Sequence, residues 1–361
     1  MRRSVVLVSL VLALVLVVAG CRSSGGGGGD QGGSGGGDQG GGGGGSDVKP
    51  ALVLDVGGLG DQGFNDSAYE GMQAAEESLG VEGRYLESSG PTDYPNNLTQ
   101  LSDNGNNPIF AVGFLMTEDL AEISPQYPDT QYAIVDSVVE DSDNVINLVF
   151  REQEGSYLAG VVAGLMTQED TDYTTSDENV VGFLGGLEGP LIQKFQAGYE
   201  AGVESVCPDC EVISQYAGAG PEAFNDPVRG KEISQQQIEQ GADVIYHASG
   251  NTGRGLFEAA TDQDIFAIGV DTDQAARFKD APILTSVIKR VDVAVRETIE
   301  QAAEQDAPVG ETVDRGLKEK GISLAPYGRF DGDVPQEVKD AVDQARQDII
   351  SGEVEVPDSV N

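Results

Sequence analysis

Residues 55–67 combine glycines with side chains that can form hydrogen bonds. This segment follows an apolar run and precedes a helical pattern, so its glycines permit tight turns and the helix start offers free backbone N–H donors. Phe64 lies within this polar loop, where a large apolar ring needs something to pack on. Asp61 and Asp66 would repel a phosphate, and the loop contains no lysine. The segment predicts a binding loop for a polar molecule with a ring; a structural Gly-rich turn is the alternative.

Other candidate residues lie directly after apolar runs that we predict to be strands. In an open parallel sheet, ligands bind beyond the carboxyl ends of the strands, so these positions matter most. They are dense in Gly, Asp, Asn and Phe, which a polar molecule with a ring would need. The positions are Gly113-Phe114, Asp136-Ser137, Gly185-Gly186, Phe224 to Asp226, Ala248 to Gly255, Asp271 to Gln274, and Lys289.

Each of these candidates also has a structural interpretation. Phe64 and Phe224 could pack in a core, although each has Asn and Asp as neighbours. Asp136 and Asp271 could cap helices or lie in solvated turns. Lys289 is less ambiguous, because the chain has few basic residues and a lysine directly after a strand is expected to have a designated partner.

The sequence predicts no metal site, no cofactor and no catalytic centre. His247 is the only histidine, and no His, Cys or carboxylate cluster has metal-ligand spacing. Cys207 and Cys210 could form half of a zinc or redox site, but in an exported protein a local disulfide is favoured. Glu152 and Glu154 lie at a predicted helix start, where carboxylates interact favourably with the helix dipole, so we interpret them as structural. No nucleophile with a base partner is apparent.

The elements that position these residues alternate along the chain. From Pro50 onward, short runs rich in Val and Ile alternate with segments of helical period, which is typical of parallel sheets with crossover helices. The predicted strands fall into two series, which implies two similar α/β lobes. The strands are 52–56, 84–87, 109–112, 132–135 and 145–150, then 180–184, 212–216, 244–246, 265–270 and 284–288. We predict a first lobe of residues 49–165 plus about 283–308, and a second lobe of 166–282 plus about 309–352.

The first fifty residues predict export and a membrane anchor. An uncharged apolar run from Val5 to Ala19 follows two arginines, and about fifteen residues are too few for a comfortable membrane span. The run ends in Val18-Ala19-Gly20-Cys21, which matches a lipobox. We therefore predict a signal peptide over residues 1–20, a lipid on Cys21 and a Gly-rich tether over 21–48. The arginine pair also fits twin-arginine export, so the export route stays open.

The net charge is strongly negative. The chain has 61 Asp and Glu against 21 Lys and Arg, a formal net charge of -40, and the acidic residues are scattered through every segment. Such a surface would repel the phosphates of nucleic acid, so we predict no nucleic-acid partner. With 39% hydrophobic residues and clear periodicity, the chain is expected to fold. A dispersed acidic surface suits concentrated salt, and we predict a halophilic source.

Several motifs in order resemble those of one family. They are Asp61-Gln-Gly-Phe-Asn65, Phe150-Arg-Glu-Gln-Glu-Gly-Ser-Tyr-Leu-Ala-Gly160, Val181-Gly-Phe-Leu-Gly-Gly186, Phe195-Gln-Ala-Gly-Tyr199, Phe224-Asn-Asp-Pro227, Gly241-Ala-Asp-Val-Ile-Tyr246, Gly269-Val-Asp-Thr-Asp-Gln274 and Thr285-Ser-Val-Ile-Lys289. From about Leu52 to Leu324 the chain resembles the basic membrane protein family, lipoproteins that are the substrate-binding components of ABC transporters for purine and other nucleosides. The resemblance implies a fold like that of type I periplasmic binding proteins, with the ligand in the cleft between the lobes.

The resemblance also implies roles for individual residues. A base would stack between Phe64 and Phe224, one ring from each lobe, while Asn65 and Asp136 would hydrogen-bond to its edge. Further roles concern the ribose and the backbone. Asp271 and Lys289 would bind the ribose hydroxyls, Gly253 would let the backbone approach the ligand, and Asp61 would either bind or brace the loop.

The function that these observations predict is capture of a nucleoside, most simply a purine nucleoside. A monomer anchored to the outer face of the cytoplasmic membrane would deliver it to a permease powered by a separate ATPase. The alternatives are a lipoprotein that binds or senses a sugar or another small solute, and a nucleoside hydrolase. The lack of a nucleophile and of a metal-ligand cluster argues against the enzyme.

Overall fold

The structure, a computed structural model, describes residues 48–174 and 179–360. The predicted signal peptide, Cys21 and nearly all of the predicted tether lie outside these residues. Across the part that is described, we find no helix with the length and apolar character that a membrane span requires.

The described residues form twelve strands and ten α-helices. In chain order they are β1 (Ala51–Leu54), α1 (Phe64–Leu79), β2 (Arg84–Glu87), α2 (Tyr94–Asp103), β3 (Ile109–Val112), α3 (Thr117–Ile123), β4 (Tyr132–Val135), β5 (Val145–Phe150), α4 (Glu152–Met166), β6 (Val180–Leu187), α5 (Pro190–Val206), β7 (Glu211–Gly218), α6 (Pro227–Glu239), β8 (Ala242–Ala248), α7 (Gly253–Gln263), β9 (Phe266–Asp271), α8 (Gln274–Arg277), β10 (Ile283–Lys289), α9 (Val291–Glu304), β11 (Thr312–Arg315), β12 (Ile322–Leu324) and α10 (Gln336–Ser351).

The strands form two six-stranded sheets, each the centre of one lobe. The order in the first lobe is β11-β5-β4-β3-β1-β2, and the order in the second is β12-β10-β9-β8-β6-β7. Pairing is parallel except between β12 and β10. The inner strands are buried along nearly their whole length because helices cover both faces of each sheet. The predicted fold class, two α/β lobes with parallel sheets and crossover helices, is confirmed.

Three crossovers connect the lobes, and all three lie elsewhere than the predicted boundaries. They pass through Arg151 between β5 and α4, Arg290 between β10 and α9, and residues 316–321 between β11 and β12. The crossovers are hydrogen-bonded to one another, since Arg151 N donates to Arg315 O at 3.1 Å and Arg290 N donates to Gly321 O at 2.9 Å. The lobes therefore share one hinge of three adjacent segments.

The predicted lobe boundaries near residues 283 and 309 are corrected by this connectivity, whereas α9 packs on α1 in the first lobe as predicted. β10 pairs with β9 and β12 in the second sheet, and β11 pairs with β5 in the first. Likewise α4, predicted in the first lobe, packs against β10 and β12 of the second. A boundary drawn by counting strands missed β11 and β12, which are short edge strands with little apolar character.

Cys207 and Cys210 form a disulfide between α5 and β7, with Cα atoms 5.3 Å apart. The pair closes the turn that leads into the edge strand β7. The metal alternative for this pair finds no support in the geometry, because both sulfur atoms are bonded to each other.

Candidate ligand-binding site

A cavity lies between the lobes at the carboxyl ends of both sheets. Its empty volume is about 610 Å³, part of it open to solvent. Seven of the eight predicted ligand-binding residues line it. They are Asp61, Phe64, Asn65, Asp136, Phe224, Asp271 and Lys289.

Asp61 braces the loop before α1. Its carboxylate accepts hydrogen bonds from the backbone N–H groups of Gly63, Asn65 and Asp66 at 2.9, 2.8 and 3.2 Å. Burial raises the pKa of this carboxyl, and the backbone donors oppose that effect. These bonds satisfy N–H groups at the start of α1 that have no partner within the helix. The geometry favours the bracing role that the sequence left open for Asp61.

Asn65 is committed to the same loop. Its side-chain oxygen accepts from Asp55 N at 2.9 Å, and its amide nitrogen donates to Asp61 at 3.0 Å. The amide keeps one N–H and one lone pair for a ligand, because each end can form two hydrogen bonds. Asn65 therefore joins the end of β1 to the start of α1 as well as lining the cavity.

Asp55 is a cavity residue to which the sequence assigned no role. It follows β1, is buried, and accepts a short hydrogen bond from the Tyr94 hydroxyl of α2. Burial raises the pKa of Asp55 to about 6, although the hydrogen bonds from Tyr94 and Val56 favour the ionised form. Its other oxygen lies close to Gly113, where a Cβ atom would approach it to 2.3 Å. A glycine is required there because φ is also positive, at 124°.

Phenylalanine rings enter the cavity from both lobes. Phe64 begins α1 and Phe114 follows β3 in the first lobe, while Phe195 of α5 and Phe224 after β7 come from the second. Phe114 and Phe224 meet edge to face across the cleft, with ring centroids 6.1 Å apart and planes at 79°. This is a favoured geometry for aromatic pairs. The cavity thus offers flat apolar faces on both sides.

Lys289 ends β10 and brings the ammonium group into the cavity. Its Nζ lies 2.5 Å from an Asp136 oxygen, and both side chains are buried, with 3% and 4% exposed. The rings of Phe64, Phe150 and Phe195 surround the ammonium, with centroids 4.9, 5.6 and 5.5 Å away. A cation over ring faces is stabilised by their quadrupoles. Lys289 therefore has the designated partner that its position predicted, and that partner comes from the other lobe.

The charge on Lys289 is maintained by its acidic neighbours. Burial alone would lower the pKa of this ammonium, but the negative charges of Asp136, Glu152 and Asp271 together raise it above the ordinary value. Lys289 is therefore protonated at neutral pH and can donate hydrogen bonds to a ligand.

Asp136 and Asp271 occupy equivalent places at the ends of β4 and β9. Both have left-handed backbone conformations, with φ of 68° and 66°, which Asp tolerates better than most residues. Burial raises the pKa of Asp271 to about 7, since the attraction of Lys289 offsets only part of the lost solvation. One oxygen of Asp136 is buried and accepts no hydrogen bond from the described residues. That oxygen is available to a donor on a ligand.

The prediction that Gly253 lets the backbone approach the ligand is not supported by its position. It begins α7 and is absent from the cavity lining among the described residues. A Cβ atom at this position would lie 2.1 Å from the ring of His247. The glycine therefore lets α7 pack on that ring rather than on a ligand. His247 is buried, its pKa is lowered to about 4 by burial, and it bonds to Gln274 at 3.0 Å, so it belongs to the second-lobe core.

Sequence reasoning gave no role to several residues that line the cavity. Leu191, Ile192 and Phe195 come from the first turns of α5, while Phe114, Ser249 and Asn251 follow strands that were recognised. Phe114, Ser249 and Asn251 are among the positions that the sequence analysis singled out because they follow predicted strands, although no individual role was given to them. The α5 residues carry no such signal, because their apolar side chains also fit a core helix.

The described ranges contain no group of three or more His, Cys, Asp or Glu side chains placed to hold a metal ion. The site is instead an aromatic cavity with carboxylates and one ammonium group.

Comparison with known proteins decides the family. A family model described as ABC transporter substrate-binding protein PnrA-like matches residues 48–360. The chain belongs to this PnrA-like family. Its members are substrate-binding proteins of ABC transporters and not enzymes, so the prediction that the chain is no enzyme is confirmed, as is the resemblance to the basic membrane proteins.

Relatives and solved structures agree with the PnrA-like assignment. The ABC transporter nucleoside-binding protein BmpA of Lactococcus lactis subsp. cremoris is 34% identical over an alignment of 378 positions that covers 99% of each chain. An uncharacterized lipoprotein of Pyrococcus abyssi is 32% identical over 333 residues, covering 89% of this chain and 76% of that one. The crystal structure of an ABC transporter solute-binding protein from Aeropyrum pernix K1 matches with a TM-score of 0.77 at 29% identity, covering 87% and 94% of the two chains.

Proposed function

We propose that this PnrA-like protein captures a nucleoside, most simply a purine nucleoside, and delivers it to the permease of an ABC transporter driven by a separate ATPase. The observation that carries the proposal is a single cavity that combines Phe64 and Phe224 from opposite lobes with the Lys289–Asp136 pair. A base has two flat faces for the rings, and each stacking contact is worth about 1–3 kcal/mol. The name of the Lactococcus relative supports the same ligand class.

The polar groups fit the two ends of such a ligand. The Asp136 carboxylate, together with the remaining N–H and lone pair of the Asn65 amide, can pair with donors and acceptors on a base edge. Asp271 and Lys289 suit ribose hydroxyls, since a carboxylate accepts from a hydroxyl and an ammonium donates to one. These roles make the bound state a closed one, because the groups come from both lobes and a ligand that contacts both stabilises closure.

The charge of the cavity favours an uncharged ligand. Four carboxylates, those of Asp55, Asp61, Asp136 and Asp271, line it with one ammonium group. A phosphorylated ligand would meet repulsion in a site of low dielectric constant, where like charges interact strongly. A nucleoside carries no charge at neutral pH and avoids that cost.

We also propose that the protein acts outside the cell, held by a lipid on Cys21 and a Gly-rich tether over 21–48 after removal of residues 1–20. The lipobox motif and the lipoprotein name of the Pyrococcus relative support this anchor. Metabolic labelling with a fatty acid would test it: the wild type should incorporate the label, and Cys21→Ala should not.

Isothermal titration with a panel of solutes tests the ligand class. We expect inosine, guanosine or adenosine to bind to the purified protein in concentrated salt, and glucose and arabinose to give no heat of binding. Chromatography of the recovered solute should return unchanged nucleoside. Binding of a sugar alone would replace the proposal with a sugar-binding protein, and released free base would indicate a hydrolase.

A further inference from the structure

Glu152 is a buried carboxylate beside the site that the nucleoside contacts leave unused. It is the first residue of α4, directly after the crossover at Arg151, and it is 0% exposed. Neither of its oxygens accepts a hydrogen bond from a described side chain or backbone group. Its contacts are ionic: one oxygen lies 3.6 Å from Lys289 Nζ and the other 3.6 Å from Lys194 Nζ. A buried charge is costly unless it is paired, so these two ammonium groups account for its ionisation.

The two carboxylates that contact Lys289 belong to different lobes. Asp136 follows β4 of the first lobe, whereas Glu152 begins a helix that packs on β10 and β12 of the second. Lys289 itself ends β10, and Lys194 lies on α5, which packs closely on α4. Two-lobed binding proteins open by hinge motion between lobes that remain rigid. Opening therefore separates Lys289 from Asp136 and leaves it with Glu152.

We propose that Glu152 is a positioning residue for Lys289, holding the ammonium at the cleft surface of the second lobe before the lobes close on a ligand. The inference rests on the proposed function, in which Lys289 donates to the ribose. A lysine side chain has many rotamers, and a ligand that must order it loses affinity. Glu152 removes that cost in advance, because a carboxylate 3.6 Å away restricts the rotamers of Lys289 even when Asp136 has moved off.

Lys194 explains why Glu152 can serve this purpose without a hydrogen bond. Burial raises the pKa of Glu152 to about 7, and the positive charges of Lys289 and Lys194 both oppose the rise. Lys194 also lies 3.4 Å from the carbonyl oxygen of Phe150, so it is held on the hinge side of the carboxylate. The carboxylate is thus fixed between two cations, and only one of them reaches the cavity.

The experiment compares Glu152→Gln with Glu154→Gln in the full chain. Glu154 lies in the same helical turn, but it accepts from Leu317 N and pairs with Arg151 rather than with Lys289. Titrations use inosine and 2′,3′-dideoxyinosine, which lacks the 2′- and 3′-hydroxyls of the ribose. We expect Glu152→Gln to weaken inosine binding roughly tenfold, about 1.4 kcal/mol, and dideoxyinosine binding scarcely at all. Glu154→Gln should leave the ratio of the two affinities unchanged, because Glu154 contacts the hinge segments and not Lys289.

A loss that is equal for both nucleosides would indicate a structural role and overturn the inference. Thermal melting checks that each variant folds, and Glu152→Met provides the same comparison with an apolar side chain if Glu152→Gln is unstable. The ratio of the two affinities remains the deciding quantity in either variant.

A double-mutant cycle separates this inference from the proposed function. Lys289→Met should weaken inosine binding, and adding Glu152→Gln should then weaken it no further, because Glu152 acts through the lysine. Additive losses would overturn the inference and leave the proposed function standing. Wild-type affinity in Lys289→Met would instead remove Lys289 from the site and contradict the proposed ligand contacts.

Discussion

The buried carboxylates of the cleft offer hydrogen-bond acceptors to a ligand, but their burial opposes the stability of the fold. Asp136, Asp271 and Glu152 are buried close to the Lys289 ammonium, and burial raises the pKa of both Asp271 and Glu152 to about 7. Such a site is held in place by the surrounding fold, and it keeps acceptors that a ligand can use. The apolar rings beside it supply contact area that is independent of pH.

Removing either ring of the predicted sandwich should weaken nucleoside binding without unfolding the protein. Phe64→Ala and Phe224→Ala each lose a stacking face worth about 1–3 kcal/mol, so each Kd should rise roughly 5- to 150-fold. Tyr85→Ala is the control, because this ring is 41% exposed on the edge strand β2. Calorimetric titration measures the Kd and a melting curve checks the fold. Wild-type affinity in both phenylalanine variants would show that no such sandwich exists.

Asp271 should make the ligand-free protein less stable as the pH rises. Its folded-state pKa of about 7 is above the ordinary 3.8, so the folded protein binds the proton more tightly than the unfolded chain. The stabilisation is therefore complete below about pH 4 and is lost as the pH rises through 7. Asp271→Asn, which keeps a side chain suited to positive φ, should be more stable than the wild type at pH 8 by up to roughly 4 kcal/mol.

Denaturant unfolding of both proteins at pH 5 and pH 8 measures this effect. The advantage of Asp271→Asn should shrink at pH 5, where the wild-type carboxyl is largely protonated. An advantage of equal size at both pH values would mean that the carboxyl does not titrate in this range.

Helix packing in the second lobe depends on glycines. α4 and α5 approach so closely that a Cβ atom on Gly160 would lie 2.1 Å from Tyr199 O, and one on Gly202 would lie 2.1 Å from Tyr157 O. These contacts involve backbone atoms, which cannot rotate away as a side chain can. Glu152 belongs to α4 and Phe195 to α5, so the packing of these two helices positions both side chains at the cleft.

Gly160→Ala should destabilise the protein by about 1–3 kcal/mol, because the helices must move apart to admit the methyl group. Gly332→Ala is the control, since a Cβ atom there meets nothing within 4 Å. The free energy of unfolding in denaturant compares the two variants. Equal stability of Gly160→Ala and the wild type would contradict the close packing of α4 on α5.

The whole molecule carries a formal charge of -40, and the acidic residues surround both lobes. Mutual repulsion opposes the compact state, and salt screens it over about 10 Å at 0.1 M and about 3 Å at 1 M. The halophilic source remains a prediction that rests on this charge.

The melting temperature should rise as sodium chloride increases from about 0.1 to 2 M, because screening weakens the repulsion within the folded chain. Scanning calorimetry measures it, and sodium and potassium chloride at equal ionic strength should act alike if screening is the cause. A melting temperature that falls or stays constant would argue against adaptation to salt.

The sequence by itself predicted ten of the twelve described strands, the two-lobed class and most of the residues that line the cavity, because apolar runs bounded by polar strand ends are local signals. Phe64 and Lys289 each lie within one quoted motif, and Asp136 directly follows a predicted strand. Only the tertiary structure decided three features. They are the lobe boundaries, the packing of Gly253 against the His247 ring, and the buried position of Glu152. They depend on which sheet accepts an edge strand and on which distant side chains meet at the hinge, and neither relation is encoded by residues adjacent in the chain.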